Sequence, residues 1–119
     1  MSRVWLLTGE LPKYAQRLCG AGALVTGAAA RNIREGRYFT EGTTDVDLVV
    51  PHARWSAVAA LIPETARPNK FGGWRFEVEG YRYDVWPDDP FDYAMRALAR
   101  DGGDIVIVDI ARRRVITVE

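Results

Sequence analysis

Three aspartates stand inside sequence that otherwise reads as β-strand. Asp45 and Asp47 lie in Thr43-Thr44-Asp45-Val46-Asp47-Leu48-Val49-Val50, and Asp84 lies in Tyr81-Arg82-Tyr83-Asp84-Val85-Trp86. Alternate side chains of a strand share a face, so Asp45 and Asp47 project together while Val46 points away. Aspartate is depleted in strands, and like charges this close raise each other's pKa unless a cation intervenes. Hard carboxylate oxygens suit Mg²⁺ or Mn²⁺, which keep several waters and bind through a few carboxylates plus substrate phosphates. The residue types therefore point to phosphoryl chemistry. Asp-x-Asp alone has an ordinary alternative, a solvated strand end. The ordinary alternative for Asp84 is a surface cross-strand partner for an arginine. Three aspartates converging from neighbouring strands would hold two metal ions, activating an attacking oxygen and steadying a leaving pyrophosphate.

The elements that must position these residues are legible from period and punctuation. Leu11, Ala15 and Leu18 recur at helical spacing before Gly20 and Gly22. Ala23 to Thr26 is a short buried strand, and Ala28 to Glu35 a helix stopped by Gly36. The run from Thr43 to Val50, ended by Pro51, is a central strand covered on both faces. Trp55, Val58, Ala59 and Ile62 predict a helix over 51–62. Trp74 to Glu79 and Tyr81 to Trp86 flank Gly80 as a hairpin whose first strand keeps one face wet. Asp89 caps a helix with Pro90 at its first position and an apolar stripe of Phe91, Met95 and Leu98. Ile105 to Ile110 and Val115 to Val118 form a second hairpin. Two connections are too short for crossover helices, so the expected fold is α+β, a mixed β-sheet covered by helices.

Composition bounds the class. At 119 residues there is room for one hydrophobic core, so residues 1–119 are expected to be a single domain. Apolar residues make up 48% and charged residues 27%, which excludes a disordered or collagen-like chain. Basic and acidic residues both total 16, so no overall field steers the chain toward a nucleic-acid backbone, which disfavours a metal-dependent nuclease. The apolar run near Trp5 is too brief for a signal peptide, and no stretch is long enough to cross a bilayer, so no membrane partner and a cytoplasmic location are expected. A lone cysteine, Cys19, reads as a small buried apolar residue.

Other chemistries fail on their motifs. Gly20-Ala21-Gly22 lacks the third glycine of a dinucleotide-binding loop, and no phosphate-loop Gly-Lys pattern occurs. Cys19 lacks a base partner for nucleophilic catalysis. His52 has no companion at zinc-ligand spacing and reads as a loop residue. Arg112 to Arg114 fall at a hairpin turn, where exposed charge is ordinary. Arg31 and Arg34 share a helix face that could grip phosphate or simply face solvent. Lys70, Arg75 and Arg82 flank the expected cleft, with ion pairs to Glu77 and Glu79 as their ordinary alternative.

Leu24-Val25-Thr26-Gly27-Ala28-Ala29-Ala30-Arg31-Asn32, then Thr44-Asp45-Val46-Asp47-Leu48-Val49-Val50, then Tyr83-Asp84-Val85-Trp86 together resemble the nucleotidyltransferase superfamily of DNA polymerase β, poly(A) polymerase and tRNA nucleotidyltransferase. There a Gly-Gly or Gly-Ser pair opens a helix after the first strand, an Asp-x-Asp follows on the next, and a third aspartate lies on a later strand. The resemblance spans roughly Leu11 to Trp86. Ala28 stands where the superfamily has its second Gly or Ser, and the helical domain that clamps the base in many relatives is missing. The resemblance implies a nucleotidyltransferase-like fold with Asp45, Asp47 and Asp84 as catalytic and Mg²⁺ (or Mn²⁺) ligands. It places Gly27 and Ala28 against a nucleoside triphosphate such as ATP, at a helix N-terminus whose dipole favours anions, and Arg31 near the phosphates. The implied activity moves a nucleoside monophosphate onto a hydroxyl of a protein, an RNA or a small molecule, with Asp84 helping to deprotonate that acceptor. The alternative is a catalytically inactive binding or regulatory module of the same fold, paired with a partner chain that completes the cleft.

Overall fold

The computed structural model describes residues 11–119; the N-terminal run around Trp5 lies outside them. Helix α1 (Lys13–Gly20) leads to β1 (Leu24–Thr26), α2 (Gly27–Arg34) and β2 (Asp45–Val50). A 3₁₀ turn at His52–Arg54 and α3 (Trp55–Ala59) precede β3 (Arg67–Pro68), β4 (Trp74–Val78) and β5 (Tyr81–Pro87). The chain closes with α4 (Pro90–Asp101), β6 (Ile105–Asp109) and β7 (Arg114–Val118). The seven strands make one mixed sheet in the order β3-β4-β5-β2-β1-β6-β7, and the class is α+β. β2 and β5 run parallel; every other neighbouring pair is antiparallel.

Alternation assigns the two faces. Val46, Leu48, Val50, Tyr83, Val85, Val25 and Val108 point to one side and meet Ala15, Leu18 and Cys19 of α1, Ala29, Ala30 and Ile33 of α2, and Val58 of α3. Burying these side chains supplies the main apolar driving force, at roughly 1.5–3 kcal/mol for each large one. On the opposite face α4 sets Ala94 and Ala97 on Ile105 and Ile107. The side chains of Asp45, Asp47 and Asp84 belong to that second face, because they alternate with the core residues of their strands.

Several expectations shift. The predicted helix over 51–62 is a 3₁₀ turn followed by five α-helical residues, with Val58 alone fully buried; the tail to Ile62 is held in turns by Leu61 N–H to Val58 and Ile62 N–H to Ala59. In α4, Phe91 and Met95 are exposed, 64% and 45% accessible, and Ala94 and Ala97 face the sheet. The closely approaching helix accepts small side chains there, so the predicted stripe is rotated. The predicted cap holds: the Asp89 carboxylate accepts from the N–H of Asp92 at 2.9 Å. The short edge strand β3 was not predicted. Among the described residues no helix is long and apolar enough to cross a membrane.

Candidate functional site

The register of β2 on β5 pairs Asp45 with Arg82 and Asp47 with Asp84. On either side, β1 places Thr26 opposite Asp47, and β4 places Arg75 opposite Asp84. Thr26, Asp47, Asp84 and Arg75 therefore form one row across four strands on one face, with neighbouring strands about 4.8 Å apart. The β4–β5 turn fixes half of this row. Glu79 and Gly80 both have positive φ, 53° and 86°, as a two-residue type I′ turn demands, and that turn sets Arg75 against Asp84. From within α2, Asn32 donates to the carbonyls of Phe39 and Glu41 at 3.1 and 2.9 Å, tying down the loop that delivers Asp45 to β2.

The carboxylates differ in their surroundings. Asp84 has a side chain only 10% exposed, and Arg75 holds it in a fork, Nη2 to Oδ2 at 3.0 Å and Nε to Oδ1 at 3.2 Å. Asn69 Nδ2 donates to Oδ1 at 3.2 Å, and its own oxygen accepts from the N–H groups of Phe71 and Gly73, so a tight loop is braced on Asp84. Asp47 has no ion-pair partner among the described residues, because Arg75 has gone to its neighbour. Burial, then repulsion from Asp84 and Asp45, pushes the Asp47 carboxyl up to about 6, against a smaller opposing pull from Arg75. Asp45 is at the exposed strand end, with Arg82 at 3.7 Å.

Gly27 opens α2 directly beside Asp47. Its φ is +70°, and a Cβ there would lie 2.5 Å from Asp47 Oδ2, so only glycine lets the turn approach this carboxylate. Ala28 follows, exposed in the first turn of the helix. Arg31 is not brought to the carboxylates: its Nη2 reaches the Asp104 carbonyl at 3.5 Å, while Arg34 pairs with the Asp104 side chain at 2.5 Å. Both arginines lean toward the start of β6, where the nearest acceptor lies.

The three aspartates share one face, yet among the described residues no three His, Cys, Asp or Glu side chains close into a metal cage. Arg75 draws Asp84 toward β4, and Arg82 flanks Asp45. The uncompensated charge left on Asp47 beside Asp84 is nevertheless what a divalent cation would relieve, and carboxylates completed by water and phosphate are the donors Mg²⁺ uses. Asp47 and Asp84, with Asp45 at the rim, are the side chains that could hold such an ion. A cavity of about 620 Å³ lies elsewhere, between the start of α4 and strands β1, β6 and β7 near Arg54 and Phe91. Its two carboxylates are already engaged, Asp89 as a helix cap and Asp109 with Arg112 and Arg114, so the row of aspartates is the better candidate for chemistry.

Sequence reasoning missed Asn69; the cross-strand arginine it gave as the ordinary alternative for Asp84 is Arg75. An Asn four residues before Gly73 was a turn signal, but which carboxylate it would brace depends on strand register. Comparison with protein-family models, curated protein sequences and solved structures found no match.

Proposed function

We infer that this protein is a metal-dependent nucleotidyltransferase of the nucleotidyltransferase-like fold, moving a nucleoside monophosphate from a nucleoside triphosphate to a hydroxyl. The observation that carries this reading is the direct pairing of Asp47 with Asp84 on adjacent parallel strands, with Gly27 turning a helix N-terminus against Asp47. The backbone N–H groups at Gly27 and Ala28 would face the polyphosphate, where the helix dipole favours anions. Mg²⁺ or Mn²⁺, when bound by Asp47, Asp84 and Asp45, supplies charge neutralisation of the phosphates. The acceptor oxygen attacks the α-phosphorus, the bond from that phosphorus to the bridging oxygen breaks, and pyrophosphate leaves. The hydroxyl proton passes to a carboxylate oxygen of the Asp47 and Asp84 pair. Arg75 orients Asp84 for this role through its fork. Buried, reduced Cys19 suits a cytoplasmic setting.

The test is incubation with each labelled nucleoside triphosphate and Mn²⁺, followed by a search for labelled protein, RNA or small molecules. A labelled product that Asp47→Asn abolishes supports the reading; no transfer with any of the four nucleotides overturns it.

A second reading, an inactive binding or regulatory module completed by a partner chain, is favoured by one observation. Asp84 is already compensated by Arg75, as in a structural ion pair. Calorimetric titration with Mn²⁺ separates the two, since the inactive module binds no cation at Asp47.

A further inference from the structure

Beside Asp84, on the same face, a cavity of about 210 Å³ is lined by Lys70, Phe71, Trp86, Tyr93, Arg96 and Arg100. Lys70, Arg96 and Arg100 face it; Arg96 engages Asp88 and Arg100 engages Asp101, so the surplus positive charge rests on Lys70. Arg100 reaches back to Asp101 at 2.8 Å, and Lys70 stands over the ring of Phe71 at 5.3 Å with no ion pair among the described residues. Phe71, 37% exposed, and half-buried Tyr93 flank the buried Trp86 ring, with centroids 4.9 and 5.3 Å apart in succession, so Phe71 gives the wall its most open aromatic surface. A site with surplus positive charge and an aromatic wall suits a phosphate ester carried on a flat ring.

Its position relative to the aspartates is built in. Trp86 follows Asp84 by two residues on β5, about 7 Å along the strand. Asn69, hydrogen-bonded to Asp84, immediately precedes Lys70 and Phe71 in the loop that forms the other wall. Gly73 ends that loop with its α-carbon so close to β5 that a Cβ would lie 1.9 Å from the Val85 carbonyl oxygen, so the loop is pressed onto the strand. The cavity sits beyond the row of aspartates toward the C-terminal ends of β2 and β5, whereas Gly27, following Thr26 on antiparallel β1, lies toward the start of β2. In-line displacement puts the attacking and leaving oxygens on opposite sides of the phosphorus. With pyrophosphate leaving toward Gly27, the acceptor enters from the side of this cavity.

We propose that the cavity formed by Lys70, Arg96, Arg100 and the aromatic wall seats the phosphate of a phosphorylated acceptor, which makes the acceptor a nucleotide or a nucleotide-bearing molecule. This assignment rests on the nucleotidyltransferase reading for its role, while the binding itself needs no divalent cation.

The test is therefore run in EDTA. Full-length protein is titrated with inorganic phosphate, adenosine 5′-monophosphate and adenosine, following tryptophan fluorescence and heat. Phosphate and the monophosphate are expected to bind and compete, the monophosphate more tightly, with adenosine at least about tenfold weaker. Lys70→Gln and Arg100→Gln, both at exposed positions, should each weaken the monophosphate about tenfold, the size of one charge-assisted hydrogen bond, and the surface control Arg17→Gln should not. Absence of binding at millimolar concentration, equal binding of adenosine, or loss caused by Arg31→Gln in place of Lys70→Gln overturns the proposal. Intact binding in a protein that transfers no nucleotide leaves the anion site standing and removes its acceptor role together with the enzymatic reading. Transfer without monophosphate binding removes this subsite alone.

Discussion

Asp47 of β2 and Asp84 of β5 are direct register partners in a parallel pair, and one arginine, Arg75, serves only the second of them. Two buried or half-buried carboxylates side by side with a single counter-charge leave an electrostatic debt on Asp47. The behaviour of the protein with pH and cations follows from that asymmetry.

The Asp47 carboxyl is pushed up to about 6, above the value near 3.9 of an unfolded aspartate. The folded state therefore binds the proton more tightly. Its contribution to stability is complete below about pH 4 and is lost as pH rises through about 6. Urea unfolding between these values should show wild type losing roughly 1–2 kcal/mol relative to Asp47→Asn, allowing for partial exposure. A parallel pH dependence in the two proteins would contradict the assignment.

Gly27→Ala places a methyl group against Asp47 Oδ2 in a backbone of positive φ. A loss of about 2–3 kcal/mol in thermal unfolding is expected. Gly42→Ala, at φ +73° with nothing within 4 Å, isolates the backbone part and should cost about 1 kcal/mol. Equal losses at both positions would mean that the turn does not press on Asp47.

Arg75→Gln removes the counter-charge that Asp84 has among the described residues. The urea midpoint should fall in EDTA and recover in part with Mn²⁺, since a cation can then take the place of the guanidinium. A midpoint that falls without any response to Mn²⁺ would mark the pair as purely structural.

The Tyr83 hydroxyl is buried with no hydrogen-bond partner among the described residues, in an aromatic cluster where its ring stacks on Phe76 at 5.3 Å. Tyr83→Phe keeps the packing and deletes the stranded donor. A gain of about 1 kcal/mol in denaturant unfolding is expected; a loss would reveal a partner for the hydroxyl.

Much of the framework was legible along the chain because its signals are local. The alternation of Trp74 to Val78, the turn at Gly80 and the cap at Asp89 each depend on neighbours within a few residues. Alternation also placed Asp45 and Asp47 on one face. What was not legible shares a cause. Whether Arg31 turns toward Asp47 or toward Asp104, as it does, depends on where β6 lies, about 70 residues onward. The apolar stripe of α4 was misplaced because the sheet selected Ala94 and Ala97 over larger residues with the same helical period.

The amino-acid sequence by itself determined the longer strands, the turn at Gly80 and that Asp45 and Asp47 share a face, since period, glycine and proline act over a few residues. Tertiary structure alone decided that Asp84 lies beside Asp47, that Arg75 compensates one and not the other, and that Asn69 links this row to a basic aromatic cavity. Those relations are set by strand register and sheet order, which join residues far apart in the chain and answer to the packing of the whole core.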